Sequence, residues 1–286
     1  RQYPLTISYA KSITDAPIYT RAAAAVLDAV KTAPSAGDIL VFMPGEREIM
    51  MLISRLVEHD KLKEFEVIPM YGALSALEQD RVLRGGNKRR IIVATNIAET
   101  SLTIPGITCV VDSGLRKISR FDPKIEMDRL DTVTISRSSA DQRAGRAGRI
   151  APGQAIRLWT AHEHKGLAES DIPEILRVDT APILLQLLAY SQRDPAKTDL
   201  LDSPDPRRIQ TGLLLLERLG ALEADSFVLT EKGLKLARLP VHPRLGAVLL
   251  SAAEKGMLDL GASIAALAME PDILDRRKIR ERSPAL

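Results

Sequence analysis

The run Asp141-Gln142-Arg143-Ala144-Gly145-Arg146-Ala147-Gly148-Arg149 concentrates side chains that can do chemistry. On a helix, Gln142, Arg146 and Arg149 stand at i, i+4 and i+7 and share one face, while Gly145 and Gly148 strip bulk from beside the arginines. In a helix each glycine costs about 1 kcal/mol relative to alanine, so helix stability does not account for the pair. A closely approached anion does. Guanidinium forks match phosphate oxygens in shape as well as charge, and fixed cations stabilise a phosphoryl group in transfer. The spacing predicts that Arg146 and Arg149 face a phosphate with Gln142 beside them, a solvated basic helix being the plain alternative.

Two further places carry polar groups where an apolar run ends. Thr95-Asn96 follow Arg90-Ile91-Ile92-Val93-Ala94, and the carboxyl end of a parallel strand is where α/β sheets hold ligands. The same pair could serve only as a helix N-cap. Asp112 closes Cys109-Val110-Val111, and a buried carboxylate needs a partner. It either supports the arginines of 142–149 or caps a turn. No histidine is spaced for metal binding, so no metal site is assigned. The single cysteine, Cys109, excludes a disulfide framework and a multi-cysteine zinc site, and fits a reducing, cytoplasmic compartment. Neither the phosphate cradle Gly-x-x-x-x-Gly-Lys-Ser/Thr nor an Asp-Glu-Ala-His box occurs.

The elements that must position these residues alternate through the first half. Helices are expected over 20–31, 46–59 and 75–83, and strands over 37–43, 67–71, 90–95 and 109–112. The Val/Ile runs are continuous, without every-other-residue patterning, so the strands are covered on both faces and the sheet is parallel. Residues 116–136 break the rhythm as a β-hairpin turning at Asp122-Pro123-Lys124. From about Ile172 prolines punctuate helices, and helix 206–220 followed by a strand at Phe227-Val228-Leu229 outlines a winged helix. Arg207-Arg208 opens that helix, where cations are unfavourable, so either an outside partner such as DNA meets them or they are simply solvated. His242-Pro243-Arg244 reads as a turn before a helix.

Composition sets the outer limits. The 286 residues suffice for about two domains. With 45% hydrophobic and 27% charged residues, and 17 each of Gly and Pro, a disordered or collagenous chain is excluded. Apolar stretches fall short of the ~20 residues that span a bilayer. The net charge of +3 hides an asymmetry: residues 1–160 hold 23 Lys/Arg against 18 Asp/Glu. That half is the better match for a polyanion. With 4 Phe, 1 Trp and 5 Tyr, nucleic-acid contact should run through the backbone and not through rows of stacked rings. Arg1 to Ile7 lacks a signal-peptide core and a starting Met, and reads as an internal cut.

Gln142 to Arg149 resembles motif VI of superfamily 2 helicases in the form typical of the DEAH-box branch. Ala94 to Ile104 is similar to that branch's motif V and Gly37 to Ile49 to motif IV, while Met70 to Leu74 with Gln79-Asp80-Arg81 is similar to the segment after it. Pro152 to Trp159 is similar to the strand after motif VI. Together these cover about residues 37–160 in order, and bacterial HrpB-type helicases are the nearest resemblance. The implied fold is α/β: a RecA-like parallel sheet domain over 1–165, then a mainly helical winged-helix domain over 166–240 and part of a ratchet-like helical bundle over 241–286.

The resemblance implies residue roles. Gln142, Arg146 and Arg149 would face the γ-phosphate of ATP as catalytic and nucleotide-binding groups, with Thr103 near the ribose or phosphates and Asp112 supporting. Thr95 and Asn96 would touch the nucleic-acid backbone, and the hairpin, through Arg116, Lys117, Arg120 and Lys124, the duplex end, unless it is a surface meander. Where many members stack an aromatic residue on adenine this chain has Leu83, and Pro105 stands where an acidic residue follows the motif V isoleucine, so base contact is expected to be loose. ATP with Mg²⁺ would be bound mainly by an upstream RecA-like domain, and single-stranded nucleic acid, RNA before DNA, would be the partner. Without the cradle the chain alone is expected neither to hydrolyse ATP nor to unwind duplexes. A winged-helix binding module on a phosphate-binding scaffold, and an ATPase that remodels without separating strands, are the competing readings.

Overall fold

The structure, a computed structural model, describes residues 3–269 except 13, 33–36, 87, 101, 123–126, 192 and 225. The expected turn at Pro123-Lys124 and the end of the expected helical bundle, 270–286, lie outside the described residues. The chain divides into two compact units, Arg1–Arg120 with Arg129–Ile172, and Phe121–Asp128 with Pro173–Leu286.

The first unit is built on six parallel strands, β1 (Leu5–Tyr9), β2 (Asp38–Phe42), β3 (Glu66–Met70), β4 (Arg90–Ala94), β5 (Ile107–Asp112) and β8 (Gly153–Arg157), in the order β1-β8-β5-β2-β4-β3. Its helices are α1 (Ile18–Thr32), α2 (Glu46–Val57), α3 (Ala76–Arg84), α4 (Arg137–Ala144) and α5 (Ala161–Gly166). The continuous apolar runs divide by pleat. Ile39, Val41, Ile91, Val93, Cys109 and Val111 pack under Ala22, Val26, Ile49, Leu52 and Leu56 of α1 and α2. Leu40, Phe42, Ile92, Ala94 and Val110 pack on the other face with Val82, Ala98, Ile104, Ala144 and Ala147. Both faces are covered, which is why these strands show no polar alternation.

Three details depart from the sequence reading. Leu5–Tyr9, where the sequence reading set no element, is an edge strand in register with β8 from Leu5–Gly153 to Tyr9–Arg157. Its ends Leu5 and Tyr9 are half-buried while Thr6, Ile7 and Ser8 are exposed. The segment 142–149 is not one helix: α4 stops at Ala144, and 145–148 continue as turns. Leu83 packs against the β2–β4 core. Between β5 and β8 lies the two-stranded sheet of β6 (Leu115–Asp122) and β7 (Met127–Thr134), at the expected place.

The second unit is helical: α6 (Ala181–Ser191), α7 (Pro206–Arg218), α8 (Glu231–Ala237), α9 (Pro243–Glu254) and α10 (Leu258–Met269). Leu184, Leu185, Leu188, Ile209, Leu215, Leu216 and Leu236 form its core, and Leu239, Ala247 and Leu250 pack on the same cluster. The expected division at 240 therefore falls inside one unit. In place of the expected strand at Phe227-Val228-Leu229 there is a single antiparallel bridge, Leu222–Leu229. Arg208, read as either meeting an outside partner or simply solvated, turns inward and donates to the carbonyls of Leu176 and Val178. His242 caps α9 as the turn reading requires, its Nδ1 accepting from Arg244 N at 3.2 Å. Nε2 is then the proton-bearing nitrogen and donates to Asp179 Oδ2 at 2.9 Å. Among the described residues no helix is long and apolar enough to cross a membrane.

Two buried groups have readable acid–base behaviour. Burial pushes the Cys109 thiol up to about 11, so Cys109 is expected to resist a thiol reagent at pH 8 until the protein is unfolded in urea. Burial also raises the Asp179 carboxyl, but the hydrogen bonds from His242 and Ala181 and the charges of His242 and Arg244 outweigh it and hold the pKa below the ordinary value. A group with a depressed folded pKa contributes stability that is full above its unfolded pKa and lost as pH falls through the folded one. Urea titrations at pH 7 and pH 3 should therefore show a smaller acid-induced loss of stability for Asp179→Asn than for the parent.

Candidate functional site

The chemistry-bearing segment is anchored by the residues between its polar members. Ala144 and Ala147 are buried in the sheet's core, which fixes where Gln142, Arg143, Arg146 and Arg149 can point. Gln142 and Arg149 are exposed, Arg146 is 5% exposed and Arg143 is fully buried. Glu99, Thr100, Ser138, Asp141, Gln142, Gly145, Arg146 and Arg149 line an open hollow of about 650 Å³. Helical periodicity put Gln142, Arg146 and Arg149 together on the wrong scaffold, since the helix ends at 144, yet the turns that follow bring all three to one hollow.

Arg146 is held by main chain. Its Nε donates to the Glu99 carbonyl at 2.9 Å and its Nη1 to the Leu102 carbonyl at 2.7 Å, and Nη2 reaches the Glu99 carbonyl too. Burial lowers its pKa, and the charge of Arg149 lowers it further. Arg149 Nη1 lies 3.4 Å from Thr103 Oγ1, which places Thr103, also exposed, beside the same arginine. Gly148 has a packing reason that the sequence reading assigned to a ligand: a Cβ there would stand 3.2 Å from the Tyr3 carbonyl, and the Gly148 carbonyl accepts from Tyr3 N at 3.0 Å.

Asp112 does not reach the hollow, which corrects its assignment as a nucleotide-binding residue. It is 2% exposed, and Oδ1 accepts from Arg143 Nη1 and from Gly114 N, both at 2.9 Å. Both internal roles left open for it are filled at once. The turn needs Gly114, at φ +73° with a Cβ position only 2.7 Å from the Trp159 ring. Arg143 also donates from Nε to Glu99 Oε2 at 2.8 Å, and Ser139 Oγ donates to Glu99 Oε1 at 2.7 Å. Burial works against the Arg143 charge, but Asp112 and Glu99 outweigh it and hold the guanidinium protonated above its ordinary range. Arg143, Glu99 and Ser139 escaped the sequence reading. The available signal was Glu99 itself, the one charged residue in the stretch 95–104.

The remaining expected contacts lie elsewhere on the first unit. Thr95 occupies the N-cap position of the one-turn helix Asn96–Ala98, but its side chain makes no capping hydrogen bond, and Asn96 is exposed. The capping reading thus does not use the Thr95 hydroxyl. Of the hairpin cations, Arg116 pairs with Asp171 at 2.5 Å and Lys117 lies 3.9 Å from Glu48, while Arg120 is exposed. The hairpin is less basic than its sequence. Lys124 lies outside the described residues. Among the described residues no group of three or more His, Cys, Asp or Glu could hold a metal ion.

Comparison with known proteins identifies a domain. The description "Helicase conserved C-terminal domain" matches residues 22–151, which hold strands β2 to β5 and the hollow. Residues 22–151 are a helicase C-terminal domain, and the chain is similar to DEAH-box helicases. Its helicase domain and the helices after it are 41% identical over 263 residues to the ATP-dependent RNA helicase HrpA of Escherichia coli (strain K12), covering 90% of this chain and 20% of HrpA. Identity to the splicing-factor ATP-dependent RNA helicase prp22 of Schizosaccharomyces pombe is 37% over 292 residues, covering 99% of this chain and 25% of that protein. The crystal structure of the Escherichia coli DEAH/RHA helicase HrpB superposes with a TM-score of 0.86 at 34% identity, covering 99% of this chain and 36% of that one. The α/β, RecA-like sheet of the DEAH-box fold is therefore the sheet described above. The chain spans about a fifth to a third of the length of these relatives.

Removing one partner of a buried ion pair is costlier than removing a surface charge. Asp112→Ala is expected to lower the unfolding free energy by about 3 kcal/mol, whereas Arg120→Ala should change it by less than about 0.5 kcal/mol, both read by urea denaturation.

Proposed function

We propose that this chain supplies the second wall of the nucleotide site of an ATP-dependent RNA helicase, with single-stranded RNA running past Thr95 and Asn96. The observation that carries the reading is electrostatic. Arg146 and Arg149 line one hollow, where the charge of Arg149 opposes that of Arg146, and among the described residues the hydrogen-bond acceptors of both are neutral, carbonyls for Arg146 and a hydroxyl for Arg149. A hollow that brings two cations together in this way favours a polyanion. The triphosphate of ATP, its γ-phosphate toward Arg149, Arg146 and Gln142 and its ribose end toward Thr103, is the polyanion this family uses.

Arginine fingers act on phosphate held by something else. The sequence has no Gly-rich cradle with its lysine, and the backbone amides of such a cradle together with Mg²⁺ supply the primary binding of a nucleotide. ATP and Mg²⁺ would be held by an upstream RecA-like domain, and these arginines would neutralise charge that develops as the γ-phosphoryl leaves. The half-buried Thr95 and the exposed Asn96, at the carboxyl end of β4, and Lys117 and Arg120 on the hairpin would take the phosphates of the strand. The second unit fits the winged-helix and the first helices of the ratchet-like domain, and a cytoplasmic setting follows from an RNA substrate.

Joined to its upstream cradle domain, the protein is expected to hydrolyse ATP faster with poly(U) than without. Arg149→Ala should lower kcat by about 10³-fold with ATP binding largely kept. The 286-residue chain alone should show no turnover. Turnover by the chain alone, or an undiminished kcat for Arg149→Ala, would count against the reading.

A further inference from the structure

We propose that Arg143 is a positioning residue that ties the loop after β4 to the turn after α4, so that a strand bound at Thr95-Asn96 sets the placement of Arg146 and Arg149. The inference rests on the functional reading above. Arg143 cannot act on a ligand directly, since its side chain is 1% exposed. Its Nη1 is fixed to Asp112, which belongs to β5 and is immobilised in the sheet. Its Nε is fixed to Glu99, which belongs to the loop that begins at Thr95. One planar fork thus bridges a rigid carboxylate and a loop carboxylate, with its face 4.8 Å from the Phe42 ring centre.

The connection continues on the other side of Glu99. Both of its carboxylate oxygens are bound from α4, by Ser139 and Arg143, and its carbonyl receives Arg146. Three residues further on, the Leu102 carbonyl receives Arg146 as well, and Thr103 meets Arg149. A displacement of Asn96–Glu99 therefore displaces the acceptors on which Arg146 lies. Because the guanidinium fork has fixed geometry, Arg143 lets the loop and α4 shift only together. A lysine keeps the charge but, as a point donor on a flexible stem, cannot bridge the two carboxylates.

The test uses the full-length protein carrying the upstream domain, with ATP turnover measured with and without poly(U), the KM for ATP, and the thermal midpoint. In Arg143→Lys the poly(U) stimulation should fall about tenfold while unstimulated turnover stays within about threefold. Ser139→Ala, which loosens the other carboxylate oxygen of Glu99, should lower stimulation in the same direction by about threefold, and it decides the matter if Arg143→Lys does not fold. Stimulation that is unchanged, or that falls only in step with unstimulated turnover and thermal midpoint, would overturn the proposal and leave Arg143 a packing residue. Arg149→Ala runs in parallel: full turnover there brings down the functional reading itself, whereas lost turnover there with normal stimulation in Arg143→Lys brings down this proposal alone.

Discussion

A guanidinium sealed from water must have its N–H groups met by acceptors within the protein, and at Arg143, where two of those acceptors are carboxylates, that requirement organises the first unit. Asp112 and Glu99 meet it from two directions, one from the end of a central strand and one from a loop. An unmatched charge at that depth costs several kcal/mol, so neither carboxylate is free to move off independently. The turn at Ser113-Gly114, the loop 95–104 and the helix α4 are thereby referred to one point under the sheet's carboxyl edge. Phe42 lies against the guanidinium face, which joins the charge to the apolar layer instead of leaving it beside that layer.

The same rule recurs at the other buried arginines, with different acceptors. Arg90 donates from Nε and Nη2 to Asp38 Oδ2 and also to the carbonyls of Val82 and Pro105, while its backbone N–H donates to Asp38 Oδ1. Arg157 reaches Asp141, Tyr9 and His164 at once, joining the edge strand β1 to α4 and α5. Arg208 uses carbonyls alone. Planar donors with up to five N–H groups can satisfy several segments simultaneously, so each buried arginine acts as a junction between elements that are distant in sequence.

The sheet was legible in the sequence because its signal is local: uninterrupted Val/Ile runs over 90–94 and 109–111 are hard to accommodate except between two helical layers. The hollow was legible because its residues are close in sequence and unusual in composition. What stayed hidden was the pairing. Nothing in the spacing of Glu99, Asp112 and Arg143 ties them together, since each lies on a different element and the contacts form only once β4 and β5 are placed on either side of β2. Reading 142–149 as one helix failed for a related reason: the cost of two glycines was recognised but taken as evidence for a ligand, when Gly148 sits where Tyr3 from the edge strand comes close.

The two arginines of the hollow are not equivalent, and donor counting shows how they differ. A guanidinium has five N–H groups. Arg146 commits one on Nε, one on Nη1 and one on Nη2 to carbonyls, which leaves one N–H on each terminal nitrogen for anything in the hollow. Carbonyls neutralise no charge, so Arg146 still projects a full positive charge while its position is fixed by the loop. Arg149, exposed and, among the described residues, hydrogen-bonded to Thr103 at 3.4 Å, is free to follow a ligand. One cation is preorganised and the other adaptable, and the fixed one takes its place from the same residue, Glu99, that Arg143 grips. An anion entering the hollow would thus meet a charge whose location is set by the loop after β4 before it meets the one that can close on it.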